Sequence, residues 1–337
     1  MKLNPKIRKI LDVLIKLTIA VLSIGYIVFR FYHMSAEQVS ILFKDIFANP
    51  YFVILATTIF LLMFVNLSME AYKWKLLMDE EEKVSFLTAY KAILGGLSVS
   101  IFTPNRVGEF MGRVFILKKA NPVRAILLTI VGSLSQLLTT ILFGSLMYMY
   151  FAPRYMPLLV GDNKWIIYGS MSALLLLSAI YLFIYFHIHL AVKILKYIPK
   201  KYQAKTASYV EALTHCPKSL LIKVLMLSMA RYGVFSFQFF LALVLMHVPI
   251  NILHAYVAMP VIYLALAGIP TIALSEIGVR GSVSDKVFGL VLTSTGTLTA
   301  AQSLSVISAS TLIWTINIAL PALTGVFIIF RLKFFKK

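Results

Sequence analysis

With 337 residues, 60% of them hydrophobic and only 13% charged, the chain departs from the roughly 45–50% apolar and about 25% charged make-up of soluble domains and reads as a membrane protein. Its net charge of +19 would suit nucleic acid only on the basic face of a soluble domain, and no such domain is legible, so no nucleic-acid partner is expected. A single cysteine, Cys216, excludes an intramolecular disulfide and a cysteine-based zinc centre, and neither a metal nor another cofactor is expected.

A hydrocarbon core of about 30 Å takes roughly 20 apolar residues of helix. Six runs meet that length: residues 10–31, 51–69, 125–151, 165–186, 220–247 and 300–330. The first follows basic residues, as a signal peptide would, but it is too long and lacks a small-residue cleavage site, so it reads as a retained span. Residues 35–48 alternate apolar and polar positions at helical spacing and suggest a short interfacial helix. The second run ends at Glu70 and leaves through Tyr72-Lys73-Trp74-Lys75. The acidic cluster Asp79, Glu80, Glu81 and Glu82 then reads as a solvated loop.

Residues 84–119 do not behave as a simple span. An apolar helix is followed by Thr103-Pro104-Asn105-Arg106-Val107-Gly108-Glu109-Phe110-Met111-Gly112-Arg113 and then by a segment too short to cross alone. With Thr103 as N-cap and Pro104 at the first helical position, Arg106, Glu109 and Arg113 share one helical face. Gly108 and Gly112 form a small-xxx-small pair that admits a close neighbour. Ionisable groups at membrane depth are functional candidates. A helix N-terminus beside an arginine suits an anion such as phosphate. Glu109 can pair with Arg113 in the favourable i,i+4 order, which leaves Arg106 as the cation expected to stay free. The alternative is a purely structural ion pair, for which the desolvation cost is poorly repaid.

Further along, residues 187–217 form a basic connector, and Arg231 lies inside the fifth run, where it needs a protein partner; Glu70 is the candidate. Residues 252–292 repeat the plan of 84–119. A helix interrupted at Pro260 leads to a second motif with Pro270, Glu276, Gly278 and Arg280, and then to a short helix from Ser282, where Ser282 and Asp285 suggest a capping box.

Lys and Arg cluster before the first run, after the second, around 113–124, across 193–223 and at the C-terminus. All five clusters share the cytoplasmic side if 84–119 and 252–292 are re-entrant, and both termini are then cytoplasmic. Lys118 and the region of Lys200 would face the cytoplasm, and Asp162 and Thr295 the outside. The expectation is an all-α polytopic membrane protein of one domain, with about six full spans and two re-entrant helix pairs. Inverted halves over about 10–152 and 165–331 bring broken helices together near the midplane, as transporters do. Length alone leaves open whether 84–101 and 252–269 re-enter or cross fully.

On these residues the chain resembles the membrane domain of the lysylphosphatidylglycerol synthase family, the flippase-like half of proteins that aminoacylate and flip phospholipids. The resemblance covers almost the whole chain. Its carriers are residues 70–77, the Pro-x-Arg-x-Gly-Glu core at Pro104 to Glu109, and Ile269-Pro270 followed by Gly278-Val279-Arg280. Where the family tends to place a glutamate directly after Gly-Val-Arg, this chain has Gly281, with Glu276 upstream. The resemblance implies a multi-pass protein of the inner or plasma membrane without the aminoacyltransferase domain, hence no enzyme activity. It implies movement of an anionic phospholipid or lipid-linked intermediate between leaflets. Arg106, Glu109, Arg113, Glu276 and Arg280 are the expected headgroup residues, supported by Pro104, Gly108, Gly112, Pro270, Gly278, Glu70 and Arg231. The rival expectation is a non-catalytic scaffold for a separate synthase or glycosyltransferase. The sequence leaves the oligomeric state open.

Overall fold

The computed structural model describes residues 47, 49–79, 81–101, 103, 106–117, 119–161, 163–188, 216–271 and 273–330. The expected first span, most of the interfacial helix and the basic connector, with Pro104, Lys118, Asp162 and the C-terminal basic cluster, lie outside these residues. Among the described residues the fold is helical throughout. The elements are α1 (Phe52–Met78), α2 (Phe86–Ile101), α3 (Gly108–Val114), α4 (Pro122–Tyr155), α5 (Pro157–Val160) and α6 (Lys164–Phe186). They continue with α7 (Lys218–Leu245), α8 (Ile252–Gly268), α9 (Ala273–Ser294), α10 (Ala300–Trp314), a π-helical turn (Thr315–Ala319) and α11 (Leu320–Phe330). Five stretches are long and apolar enough to cross a membrane: α1, α4, α6, α7 and the continuous rod from α10 into α11.

Local chemistry explains five of the helix starts. The Asn121 side chain accepts the Val123 and Arg124 N–H groups ahead of Pro122 at the first helical position of α4. Asn163, Asn251 and Thr299 cap α6, α8 and α10 in the same way, and Ser85 accepts the Thr88 N–H at the start of α2. α2 and α8 have 16 and 17 residues, about 24–26 Å of helix, short of an upright crossing.

Four expectations are corrected here. Pro260 does not interrupt α8; it lies inside the helix, buried by its neighbours, as membrane helices allow where packing covers the gap. α9 does not begin at Ser282 but runs unbroken for 22 residues from Ala273. Ser282 donates back to the Gly278 carbonyl at 2.6 Å, and the buried Asp285 accepts from Ser303, so the two form no capping box. The acidic loop is also tied down. Asp79 pairs with Lys75 and accepts the Val84 N–H, Glu81 pairs with Arg124, and Glu82 accepts the Lys119 and Ala120 N–H groups at 2.8 and 2.9 Å. That loop clamps the exit of α1 to the entry of α4.

α1 and α7 pack together at the centre. α2 lies on α11 and α8 lies on α4, so each short apolar helix rests on the last long helix of the other half. Both contacts are close. Cβ atoms added at Gly325 and Gly144 would strike the Leu94 carbonyl and the Leu264 side chain respectively. α6 packs along the edge of α4, with Tyr185 reaching the Leu221 carbonyl of α7, and leaves Leu175, Leu176, Ile180, Phe183 and Ile184 exposed, the surface a bilayer covers. Two apolar clusters form the core. One joins the second half of α1 to α2 and the starts of α4 and α7; the other joins the ends of α4 and α7 to α8, α9 and α10. Between them, at the middle of the long helices, the interior turns polar.

Candidate functional site

Asn66 and Glu70 on α1, Gln136 on α4 and Arg231 on α7 all sit near their helix midpoints, the depth at which a charge costs most. They face a cavity of about 520 Å³ that is also lined by Lys73, Arg106, Glu109, Arg113, Arg280 and Asn317. Both motifs therefore contribute to one chamber. Its apolar wall includes Leu97, Phe110, Tyr232, Phe235, Tyr263 and Leu266.

Glu70 is the hub of the first charge cluster. It meets Lys73 Nζ at 2.7 Å, Arg113 Nη1 at 2.9 Å and Arg231 Nη1 at 3.1 Å. The expected partnership with Arg231 is present. Lys73, assigned from the sequence to a basic membrane exit, is instead 2% exposed, because the i,i+3 spacing turns it onto the same face as Glu70. Arg113 also binds Glu109 one turn earlier, as expected. The Gly108 and Gly112 pair serves as read: a Cβ at Gly112 would come within 2.8 Å of Gly96 Cα and 2.9 Å of the Gly95 carbonyl, so α3 touches α2 backbone to backbone and sets Arg113 deep in the interior.

Glu276 centres the second cluster. Arg280, four residues on, donates from Nε to Glu276 Oε1 at 2.8 Å. Arg106 arrives from the first motif and grips both Glu276 oxygens, Nε to Oε2 at 3.2 Å and Nη2 to Oε1 and Oε2 at 3.0 and 2.8 Å. This overturns two expectations about Arg106. It is not on the α3 face with Glu109 and Arg113, since α3 starts at Gly108 and Arg106 precedes it with φ +57°. Nor is it the free cation, because the carboxylate that claims it lies 170 positions along the chain. Thr103 is not the N-cap either, since Val107 occupies that position; its hydroxyl accepts the Gly108 N–H at 2.8 Å from outside the helix. Left-handed backbone at a residue that is not glycine is strained and tends to mark functional segments.

Arg106 keeps one open nitrogen, and further open guanidinium edges lie on Arg280 and Arg231. Among the described residues nothing bonds to the Arg280 Nη1 and Nη2 groups, Arg231 Nη2 or Arg106 Nη1, while Arg113 spends both terminal nitrogens on carboxylates. Arg280 and Arg231 side chains are 21% and 28% exposed, against 5% for Arg113. Pro270 and Gly278 flank and carry the second motif but do not line the cavity.

Sequence reading missed the amides that hold Arg231. Asn66 Oδ1 accepts from its Nε at 2.6 Å and Gln136 Oε1 from Nη1 at 3.1 Å. Asn66 in turn donates to Asn317, which donates to Gln238 at 2.9 Å, and Gln238 donates to the Ile59 carbonyl at 2.7 Å. Asn317 lies in the π-helical turn, a distortion common at functional sites. An available signal was polar amides inside otherwise apolar runs. Among the described residues no three His, Cys, Asp or Glu side chains come together as a metal site.

The chemistry on offer is anion binding at membrane depth. Five cations and two carboxylates, Glu70 and Glu109, line the chamber, and a third carboxylate, Glu276, backs it through its pairs with Arg106 and Arg280. Comparison with known proteins gives a family profile described as the lysylphosphatidylglycerol synthase TM region, which matches residues 13–309. No curated protein and no solved structure matches.

Proposed function

We propose, since the chain belongs to the lysylphosphatidylglycerol synthase TM region family and the family points to a membrane lipid-related role, that it moves an anionic phospholipid or lipid-linked intermediate between leaflets. The observation that carries the reading is the single mid-depth chamber that gathers cations from both motifs. A headgroup phosphate enters the chamber and binds the open edges of Arg280 and Arg231, whose planar forks suit oxyanions, while the acyl chains stay in the bilayer. The reciprocal packing of α2 on α11 and α8 on α4 supports an inverted repeat, with each half gating one side. In this reading the termini are cytoplasmic and the membrane is the inner or plasma membrane.

Reconstitution into liposomes with labelled lipids in one leaflet tests it. Exchange faster than in empty vesicles, reduced at least tenfold in Arg280→Gln protein of unchanged fold, is the expected result. Exchange at the empty-vesicle rate for every lipid class tried would put a scaffold for a separate synthase or glycosyltransferase in its place.

A further inference from the structure

Charge balance in the chamber reaches past the phosphate itself to the number of phosphates. The five cations and three carboxylates of the two clusters leave a surplus of two positive charges among the described residues. This surplus sits among apolar walls at the middle of the long helices, where an uncompensated charge is unfavourable. The open donors point the same way. They come from three arginines on three separate segments: Arg106 before α3, Arg231 on α7 and Arg280 on α9. One phosphodiester carries a single negative charge on its two unesterified oxygens, so it offsets only one of the two surplus positive charges. Three open arginine edges on three segments around a chamber of about 520 Å³ give each of two phosphates an arginine contact of its own.

We infer that the ligand is a lipid carrying two phosphate groups, either adjacent as a diphosphate or separate as two phosphodiesters. One phosphate takes the fork of Arg280, and the other takes the free edges of Arg231 and Arg106. A lipid with one phosphodiester leaves one positive charge uncompensated. This inference rests on the lipid reading above and adds a charge requirement to it.

Retention by purified protein in detergent tests the requirement independently of transport. Labelled cardiolipin and labelled polyprenyl diphosphate are each offered in competition with phosphatidylglycerol, phosphatidylethanolamine and inorganic pyrophosphate. The expected result is retention of at least one two-phosphate lipid at concentrations about tenfold below those needed for phosphatidylglycerol, with phosphatidylethanolamine weakest. Arg231→Gln and Arg280→Gln each lower the surplus to one, and in each variant that preserves its melting temperature the preference for two phosphates over one falls to within about twofold. A merely structural arginine would weaken retention of all lipids alike and leave their ratio unmoved. Equal retention of one-phosphate and two-phosphate lipids by the unmutated protein overturns the inference while leaving the lipid reading intact. Displacement by pyrophosphate as efficient as by polyprenyl diphosphate upholds the two-phosphate chemistry but overturns a lipid ligand. Retention of no lipid overturns both.

Discussion

Arg280 and Arg106 hold the same carboxylate, yet their replacement has different expected consequences. In Arg280→Gln, Glu276 keeps its three bonds from Arg106, so the fold survives and lipid exchange falls at least tenfold through loss of the open fork, while Arg280→Lys retains part of the activity. In Arg106→Gln the link between the two motifs is gone. A loss of about 1–3 kcal/mol, read as a lower melting temperature, is expected alongside slower exchange. Glu70→Gln is the most damaging of these changes. It leaves Lys73, Arg113 and Arg231 facing one another without the shared carboxylate, and a broken buried pair costs about 3–5 kcal/mol. Detergent-extracted yield and thermal melting measure that loss. Partial recovery in Glu70→Gln combined with Lys73→Met, which removes one cation as well, would identify charge imbalance as the cause; no recovery would point to the lost hydrogen bonds.

Helix α3 is only seven residues long, too short to hold itself together in isolation, so its place depends on the contact with α2. Gly112→Ala pushes a methyl group into the Gly96 backbone. The expected loss is about 1–3 kcal/mol, with exchange impaired because Arg113 and Glu109 move with the helix. A variant with unchanged melting would show that α3 can slide without loss. The π-helical turn makes a second prediction. Asn317→Leu removes the partner of Asn66 and Gln238 and frees Arg231 to change its angle. Exchange should fall while yield stays near normal, and restored exchange in Asn317→Gln would support a positioning role. The i,i+4 pairs Glu109–Arg113 and Glu276–Arg280 were legible because helical spacing alone brings them together. The π-turn was not, because it arises from how Asn317 is bonded across to α1 and α7.

At the scale of the molecule, the expected topology places Thr295, which is exposed between α9 and α10, outside, and Lys118 in the cytoplasm. Cysteines at these positions, with Cys216 replaced by serine, should react with an impermeant reagent from opposite sides; labelling of position 118 from outside would remove the re-entrant arrangement of the first motif. Membership of the membrane class, the long helices and the two charged motifs follow from apolar run length and from local spacing, which act within one stretch of chain. Glu109 finding Arg113 belongs to the same level. The pairing of Arg106 with Glu276, the burial of Lys73 behind Glu70, and the transfer of the open cation from Arg106 to Arg280 and Arg231 belong to the folded molecule. Each depends on which helices meet. An arginine cannot be known to be free until every carboxylate within reach has been located, and the one that claims Arg106 comes from the other half of the chain.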